Sequence, residues 1–196
     1  MADNNNKHKL KDLPRNVWAV SLTSFFMDIS SEMVINVLPL FLSNVLGVRT
    51  GIIGIIEGVA EATASLLKVF SGWLSDKLRG RKWIAVAGYA ISALSKPFFY
   101  ISDTWGMIAA VRWADRLGKG VRTAPRDALI ADSIEPSQRG LVFGFHRAAD
   151  TAGAMIGLVI ATIAVWSVQS NNLSLGEPTF RTIVLISLVP AALSVL

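Results

Sequence analysis

Asp28 and Glu32 stand four residues apart inside residues 17–46, a run that is otherwise apolar or small and polar. Helical spacing puts them on one face with Ser21, Ser24, Ser31 and Asn36. A charged carboxylate at the centre of a bilayer costs about 2.5–3.5 kcal/mol on insertion scales, so it must be paired, hydrated or protonated. The chemistry on offer is proton uptake and release, or contact with a polar solute. The structural alternative is an ion pair with Arg112 or Lys96. A second set begins after the apolar residues 105–111: Arg112, Asp115, Arg116, Lys119, Arg122, Arg126 and Asp127. Arg112, Arg116, Lys119 and Arg126 follow one another by four, three and seven residues and draw a basic stripe down one helical face. Arginine keeps its proton, so such residues can tune an acid or bind an anion but cannot carry the proton themselves. Arg112, Asp115 and Arg116 can thus form a charge switch with Asp28 and Glu32. His146 and Asp150 share a face further on, with Arg147 beside them. Histidine is the side chain that ordinarily changes charge near neutral pH.

Other charges have plainer readings. Glu57 and Glu61 form a stripe with Ser65, Lys68 and Gly72 and are expected to make structural or gating pairs. Lys68 lies seven residues from Glu61, roughly 10 Å along a helix, so it can serve that acid only indirectly. Lys96-Pro97 marks a kink or a snorkelling lysine. With no cysteine and two histidines, His8 and His146, there is no disulfide framework, thiol nucleophile or metal site to expect. Gly118-Lys-Gly120 is followed by Val121, not Ser or Thr, so the phosphate-loop pattern fails. No catalytic constellation is visible, and neither enzyme activity nor a cofactor is expected.

The elements that must position these groups are helices in a membrane. The chain is 52% hydrophobic and only 17% charged, against about 25% charge in soluble domains. Its net charge of +5 comes from Lys and Arg gathered beside apolar runs. That placement is a topology signal and not a nucleic-acid surface. A polar tail, 1–16, precedes helices at 17–46, 51–75, 83–101, 104–130, 141–168 and 181–196. The first would be roughly 45 Å long against a hydrocarbon core of about 30 Å, and must tilt or protrude. Gly51, Gly54 and Gly58 are expected to allow close packing. Gly118, Gly120 and Pro125 suggest a loosened end to the fourth helix. The last apolar run is shorter than the roughly 20 residues of a span, so the sequence is expected to be cut short within it.

Lys and Arg placement orients the set. One side receives Lys7, Lys9, Lys11 and Arg15, then Lys77, Arg79, Arg81 and Lys82, then Arg122, Arg126 and Arg139; the other receives Arg49 and Arg181. The N-terminus is therefore expected inside, with no removable signal peptide.

The loop Gly72-Trp-Leu-Ser-Asp-Lys-Leu-Arg-Gly-Arg-Lys82 resembles the signature between the second and third helices of the major facilitator superfamily. Gly72, Leu74, Ser75, Asp76, Lys77 and Lys82 fit it. Arg79-Gly80 departs from it, because the family usually has Gly before Arg. The family's helix-four pattern, Arg-x-x-x-Gly-x-Gly, is met in part from Arg112 by depth or from Arg116 by glycine spacing. Residues 135–144 resemble the family's entry to helix five. The antiporter signature there is met at Gly153 and Gly157 but has Leu158 in place of proline. The stretches 28–33, 57–61 and 115–129 resemble a prokaryotic branch of the superfamily.

The resemblance implies an all-α integral membrane protein: the N-terminal six-helix half of a transporter whose two halves flank a cavity at the bilayer midplane. It implies secondary transport of a small-molecule substrate by alternating access, with proton coupling, efflux as the favoured direction, and an inner-membrane, multi-pass location. The C-terminal six-helix half would lie outside this chain. Asp28, Glu32, Arg112, Asp115, Arg116, His146 and Asp150 would serve the cavity or the proton. The resemblance also makes Gly72, Asp76, Lys77 and Arg81 a conformational latch, with Arg122 and Arg126 as nearby partners for Asp76. The alternative is a non-transporting membrane scaffold or pseudo-transporter, or a truncated fragment that needs a partner half.

Overall fold

The computed structural model describes residues 13–169 and 174–195. Every regular element among them is helical. Helix α1 runs Arg15–Ile35, α2 Leu38–Asn44, α3 Thr50–Leu78, α4 Arg81–Tyr100, α5 Trp105–Asp132, α6 Arg139–Val168 and α7 Glu177–Leu193. A single 3-10 turn, Pro136–Gln138, leads into α6. The tail lysines Lys7, Lys9 and Lys11 lie outside the described residues.

The expected helix 17–46 is two helices. Pro39 sits in the first turn of α2 and has no N–H to give the carbonyl of Ile35, so the ladder is interrupted there. Val37 bridges the gap by donating to Val34 O at 3.2 Å, and Phe41 resumes the ladder on Val37 O at 3.0 Å. The last helix starts at Glu177, four residues before the sequence suggested.

Glycines decide which helices touch, and they are not all the expected ones. Helix α5 packs against both α3 and α4. A Cβ on Gly118 would lie 2.6 Å from Gly88 O, and one on Gly120 would lie 2.7 Å from Ala64 O. The α1–α6 contact depends on Gly153 and Gly157, where a Cβ would come within 2.5 Å of Phe25 O and Ile29 O respectively. By contrast Gly51, Gly54 and Gly58 face open space, with nothing within 4 Å. Helix α5 does not loosen at Gly118, Gly120 or Pro125; it continues to Asp132. Its glycines serve backbone approach.

Helix α7 leans on α1 and α4, with Phe180 stacked on Phe41 at 4.0 Å between centroids. Apolar packing is concentrated at the two ends. One cluster gathers Met33, Leu38, Phe41, Phe99, Ile108 and Ile183. The other gathers Leu13, Val17, Ile130 and Val142. Between them the interior is polar and charged. The outside is the reverse: Leu66, Val69, Leu94, Met155 and Ile163 are all exposed. An apolar exterior around hydrogen-bonded helices suits hydrocarbon as solvent. Among the described residues two stretches qualify as spans by length and composition alone, Arg15–Asn44 and Pro136–Val168. Helix α5 carries many charges along its 28 residues, and the fold turns most of them inward.

Candidate functional site

Helix α5 is the spine of the polar interior. Arg112, Asp115, Arg116, Arg122 and Arg126 are all buried on it. Arg112 and Arg126 are fourteen residues apart, or roughly 21 Å along the axis. That length compares with the roughly 30 Å of a hydrocarbon core.

Towards the Trp105 end, Arg112 reaches α3. Its Nε donates to both Glu57 carboxylate oxygens at 3.1 Å, and Nη2 donates to Oε2 at 2.5 Å. Glu61 lies 3.5 Å from Arg112 Nη2 and 2.8 Å from Arg116 Nη2. Bidentate arginine–carboxylate geometry is the strong form of this contact. On the other side of α5, Lys96 Nζ meets Asp115 Oδ1 at 3.2 Å and donates to Ser31 Oγ at 3.1 Å. Lys96 is completely buried. It is thus neither a kink marker alone nor a snorkelling lysine, because its ammonium turns inward to an acid on α5. Lys68 is exposed on α3 and forms no ion pair among the described residues.

Towards the other end, Arg126 is shared. It donates to Asp127 Oδ1 through Nε at 3.0 Å and Nη2 at 2.9 Å, and to Ser24 Oγ through Nη1 at 2.9 Å. Asp150 of α6 lies 3.6 Å from Arg126 Nη1 and 3.6 Å from His146 Nε2. The other His146 nitrogen, Nδ1, is 3.1 Å from Ser21 Oγ. Among the described residues the direct contacts of Arg122 are neutral: it donates to Ser92 Oγ at 2.6 Å and lies 4.8 Å from the Tyr89 ring centre, with Asp115 and Asp28 acting on it from further off.

Asp28 and Glu32 are only partly buried. Neither pairs with Arg112 or Lys96, whose charges are already matched by Glu57 and Asp115. Glu32 accepts from Asn36 Nδ2 at 3.0 Å within its own helix segment. Asp28 forms no ion pair among the described residues. It opens into a cavity of about 240 Å³ between α1, α5 and α6, shared with Lys119, Arg122, Arg126, Arg147 and Asp150.

The α3–α4 turn forms a separate site. Arg81 bridges Asp76, at 3.0 Å, and Asp132 at the end of α5. It lines a surface hollow of about 770 Å³ with Arg79, Lys82 and others. Arg122 and Arg126 do not meet Asp76, contrary to expectation; they face α4, α1 and α6 instead. Lys77 lies over the Trp73 ring at 5.0 Å. Gly72 packs on α5, where an added Cβ would sit 3.2 Å from Ala124 Cβ.

Sequence reading missed the neutral partners on α4. Ser92 accepts from Arg122 and donates to Asp115 O at 3.0 Å. Gly88, Ser92 and Lys96 recur every fourth residue, and that stripe would have marked the face of α4 that packs on α5.

These helices, with charges inside and apolar residues outside, suit a membrane protein of the transporter type. The family model of the Major Facilitator Superfamily matches residues 20–196, and the chain belongs to that superfamily. The uncharacterized MFS-type transporter MJ1317 of Methanocaldococcus jannaschii is 36% identical over 184 residues, covering 94% of this chain and 44% of that protein. The uncharacterized MFS-type transporter YqjV of Bacillus subtilis is 24% identical over 152 residues, covering 78% of this chain and 37% of its own length. The multidrug resistance protein MdtH of an Enterobacter species is 30% identical over 118 residues, covering 60% and 28% respectively. The chain thus spans less than half the length of each of these relatives.

Proposed function

We propose that this chain forms the N-terminal six-crossing half of a secondary transporter that moves a small solute by alternating access. α1 and α2 together make the first crossing, and α3 to α7 make the rest. The N-terminus and the α3–α4 turn lie in the cytoplasm of an inner-membrane, multi-pass protein. Exposed tryptophans support that placement. Trp18, Trp73 and Trp83 sit near helix ends on the proposed inner side, and Trp105 and Trp166 near ends on the outer side. Tryptophan is enriched at both membrane interfaces. The greater length of the relatives supports a second half beyond this one.

The observation that carries the reading is the charged column of α5 inside a shell of apolar residues. Intramembrane charges are costly and mark solute or proton pathways. Asp28 is the proposed proton carrier, because it opens into the cavity without an ion pair. Efflux is the favoured direction, supported by the multidrug resistance name of the MdtH relatives.

The test uses the protein expressed from its complete gene and reconstituted in liposomes. A solute library is screened for movement driven by an imposed pH gradient. Asp28→Asn should insert normally and lose gradient-driven movement. Equal gradient-driven transport by Asp28→Asn removes the proposed proton role, and transport of nothing in the library by wild type counts against the transporter reading.

A further inference from the structure

The buried charges pair off with a remainder. Arg112 takes Glu57, Arg116 takes Glu61, Lys96 takes Asp115 and Arg126 takes Asp127. The half-buried Lys119 and the buried Arg122 are left, with Asp28 and the buried Asp150 as the remaining acids on the same cavity; neither cation closes to an ion pair among the described residues. Arg122 is only 4% exposed, and its contacts are a serine hydroxyl and a tyrosine ring. Asp115 and Asp28 act on Arg122, and Asp28 and Glu61 on Lys119, only from beyond contact distance, and a buried cation without a contacting acid is expensive in a low-dielectric interior. Both cations border the cavity at Asp28, beside the hydroxyl residues Thr123 and Thr151.

Asp28 is the nearest available counter-charge, yet it does not close on either cation. On α5 it faces Lys119, Arg122 and Arg126; on α6 it faces Arg147 and Asp150. Behind these, Asp127 and His146 touch Arg126 and Asp150. Asp150 is itself held between Arg126, His146 and Arg147. With Asp28 ionised, the cavity wall and Asp127 keep one positive charge in excess, that of Arg147 at the exposed rim; with Asp28 protonated, two.

We infer that this cavity binds a small anion, a carboxylate or phosphate, on Lys119 and Arg122, and that Asp28 takes up a proton as the anion arrives. The inference rests on the transporter reading and supplies its substrate class. The anion replaces the Asp28 carboxylate as counter-ion to the two cations. One proton accompanies each monoanion in the same direction, so the charge of the cavity is the same before and after loading; efflux of such an anion runs down its own gradient, and an imposed inward proton gradient drives its uptake. A cationic solute would instead add to the positive excess and meet four cations against the two acids Asp28 and Asp150.

The test is calorimetric titration of lactate and of inorganic phosphate into the protein from its complete gene, held in phosphatidylcholine nanodiscs. Repeating the lactate titration in buffers of different ionisation enthalpy counts protons. Wild type should take up about one proton per lactate at neutral pH. Asp28→Asn should take up none and bind at least as tightly. Lys119→Gln should bind about tenfold or more weakly, and Lys119→Arg should bind normally. If Lys119→Gln is not recovered folded, Asp28→Asn decides alone.

Nanodiscs containing phosphatidylglycerol separate a lipid phosphate from a free anion. Weaker lactate binding there, with the same Lys119 dependence, makes the headgroup the occupant of the same site. Failure of wild type and Asp28→Asn to bind either anion below about 10 mM overturns the inference; acids elsewhere in the full-length protein would then match the two cations. Binding unchanged by Lys119→Gln overturns it too. A protein that moves another solute with the pH gradient but binds neither anion keeps the transporter reading and loses this one.

Discussion

Arg112 of α5 holds Glu57 of α3 through two nitrogens, with Nη2 2.5 Å from Oε2 and Nε 3.1 Å from each carboxylate oxygen. The guanidinium is 1% exposed and the carboxylate 27%. The two partners therefore stand in different surroundings, and their removal should differ in cost. Removing one partner of a buried pair costs about 3–5 kcal/mol, because the other charge is left uncompensated. Glu57→Gln strands a buried arginine, with only the longer contacts to Glu61 and Asp115 remaining. It should destabilise the protein by about 3 kcal/mol in reversible unfolding from mixed micelles. Glu61→Gln strands Arg116, also buried, but removes a half-exposed acid held through one nitrogen, and should cost less than Glu57→Gln, about 1–2 kcal/mol. Equal costs for the two would show that Arg112 does not depend on Glu57.

Gly153 and Gly157 seat α6 on the backbone of α1, whereas Gly54 and Gly58 of α3 face outward into open space. A side chain at either α6 position must push α1 away. Gly153→Val and Gly157→Val should each cost about 1–3 kcal/mol or more through overpacking and broaden the thermal transition of the purified protein. Gly54→Ala and Gly58→Ala should leave it unchanged within about 0.5 kcal/mol. A destabilising Gly58→Ala would place a further packing surface over α3.

How much of this arrangement the sequence disclosed varied with whether the signal was local. The basic stripe of α5 was legible because charges at helical spacing inside an apolar run have only one economical orientation. The polar face of α1 was legible for the same reason, through Ser21, Ser24 and Ser31. Partners were not legible, because periodicity names a face and says nothing of what lies opposite. Lys96 looked like a snorkelling residue because its acid, Asp115, is on another helix. Asp28 and Glu32 were offered Arg112 and Lys96, but those bases are taken by Glu57 and Asp115.

Glycines failed in the same way. Gly51, Gly54 and Gly58 have the spacing of a packing stripe but no neighbour. Gly88, with no second glycine at helical spacing and only the polar stripe of Ser92 and Lys96 beside it, meets Arg122 and Gly118. The break after Ile35 was a local signal overlooked: Pro39 removes a ladder donor where the apolar run seemed continuous.

Arg79 ends α3 with φ 49° and ψ 24°, in the left-handed region. Glycine normally takes this position because any Cβ is crowded there, at roughly 1–2 kcal/mol. Here glycine follows one residue later, as Gly80. Arg79→Gly should therefore raise stability by about 1 kcal/mol in the same unfolding measurement. Gly80→Arg alone should not reproduce that gain, since Gly80 has φ −107° and needs no special freedom. A fall in stability with Arg79→Gly would mean that the Arg79 side chain makes contacts worth more than the strain it bears.

Arg81 links the ends of α3 and α5 by bridging Asp76 and Asp132, and it also donates to Ala128 O at 3.3 Å. The link is partly solvent-exposed, so its contribution to stability is small, under about 1 kcal/mol. Its effect should be on opening, because it ties the α3–α4 turn to the helix that carries the charged column. Arg81→Gln should leave the melting temperature nearly unchanged and alter access to the cavity. A reporter cysteine at Thr123, which lines that cavity, can be labelled without background from this chain, which has no cysteine. In a full-length protein freed of other thiols, Arg81→Gln should speed labelling of Thr123→Cys several-fold from the proposed cytoplasmic side. Asp76→Asn and Asp132→Asn should each give part of that increase. Unchanged labelling in all three would leave the bridge a surface ion pair and exclude it from gating.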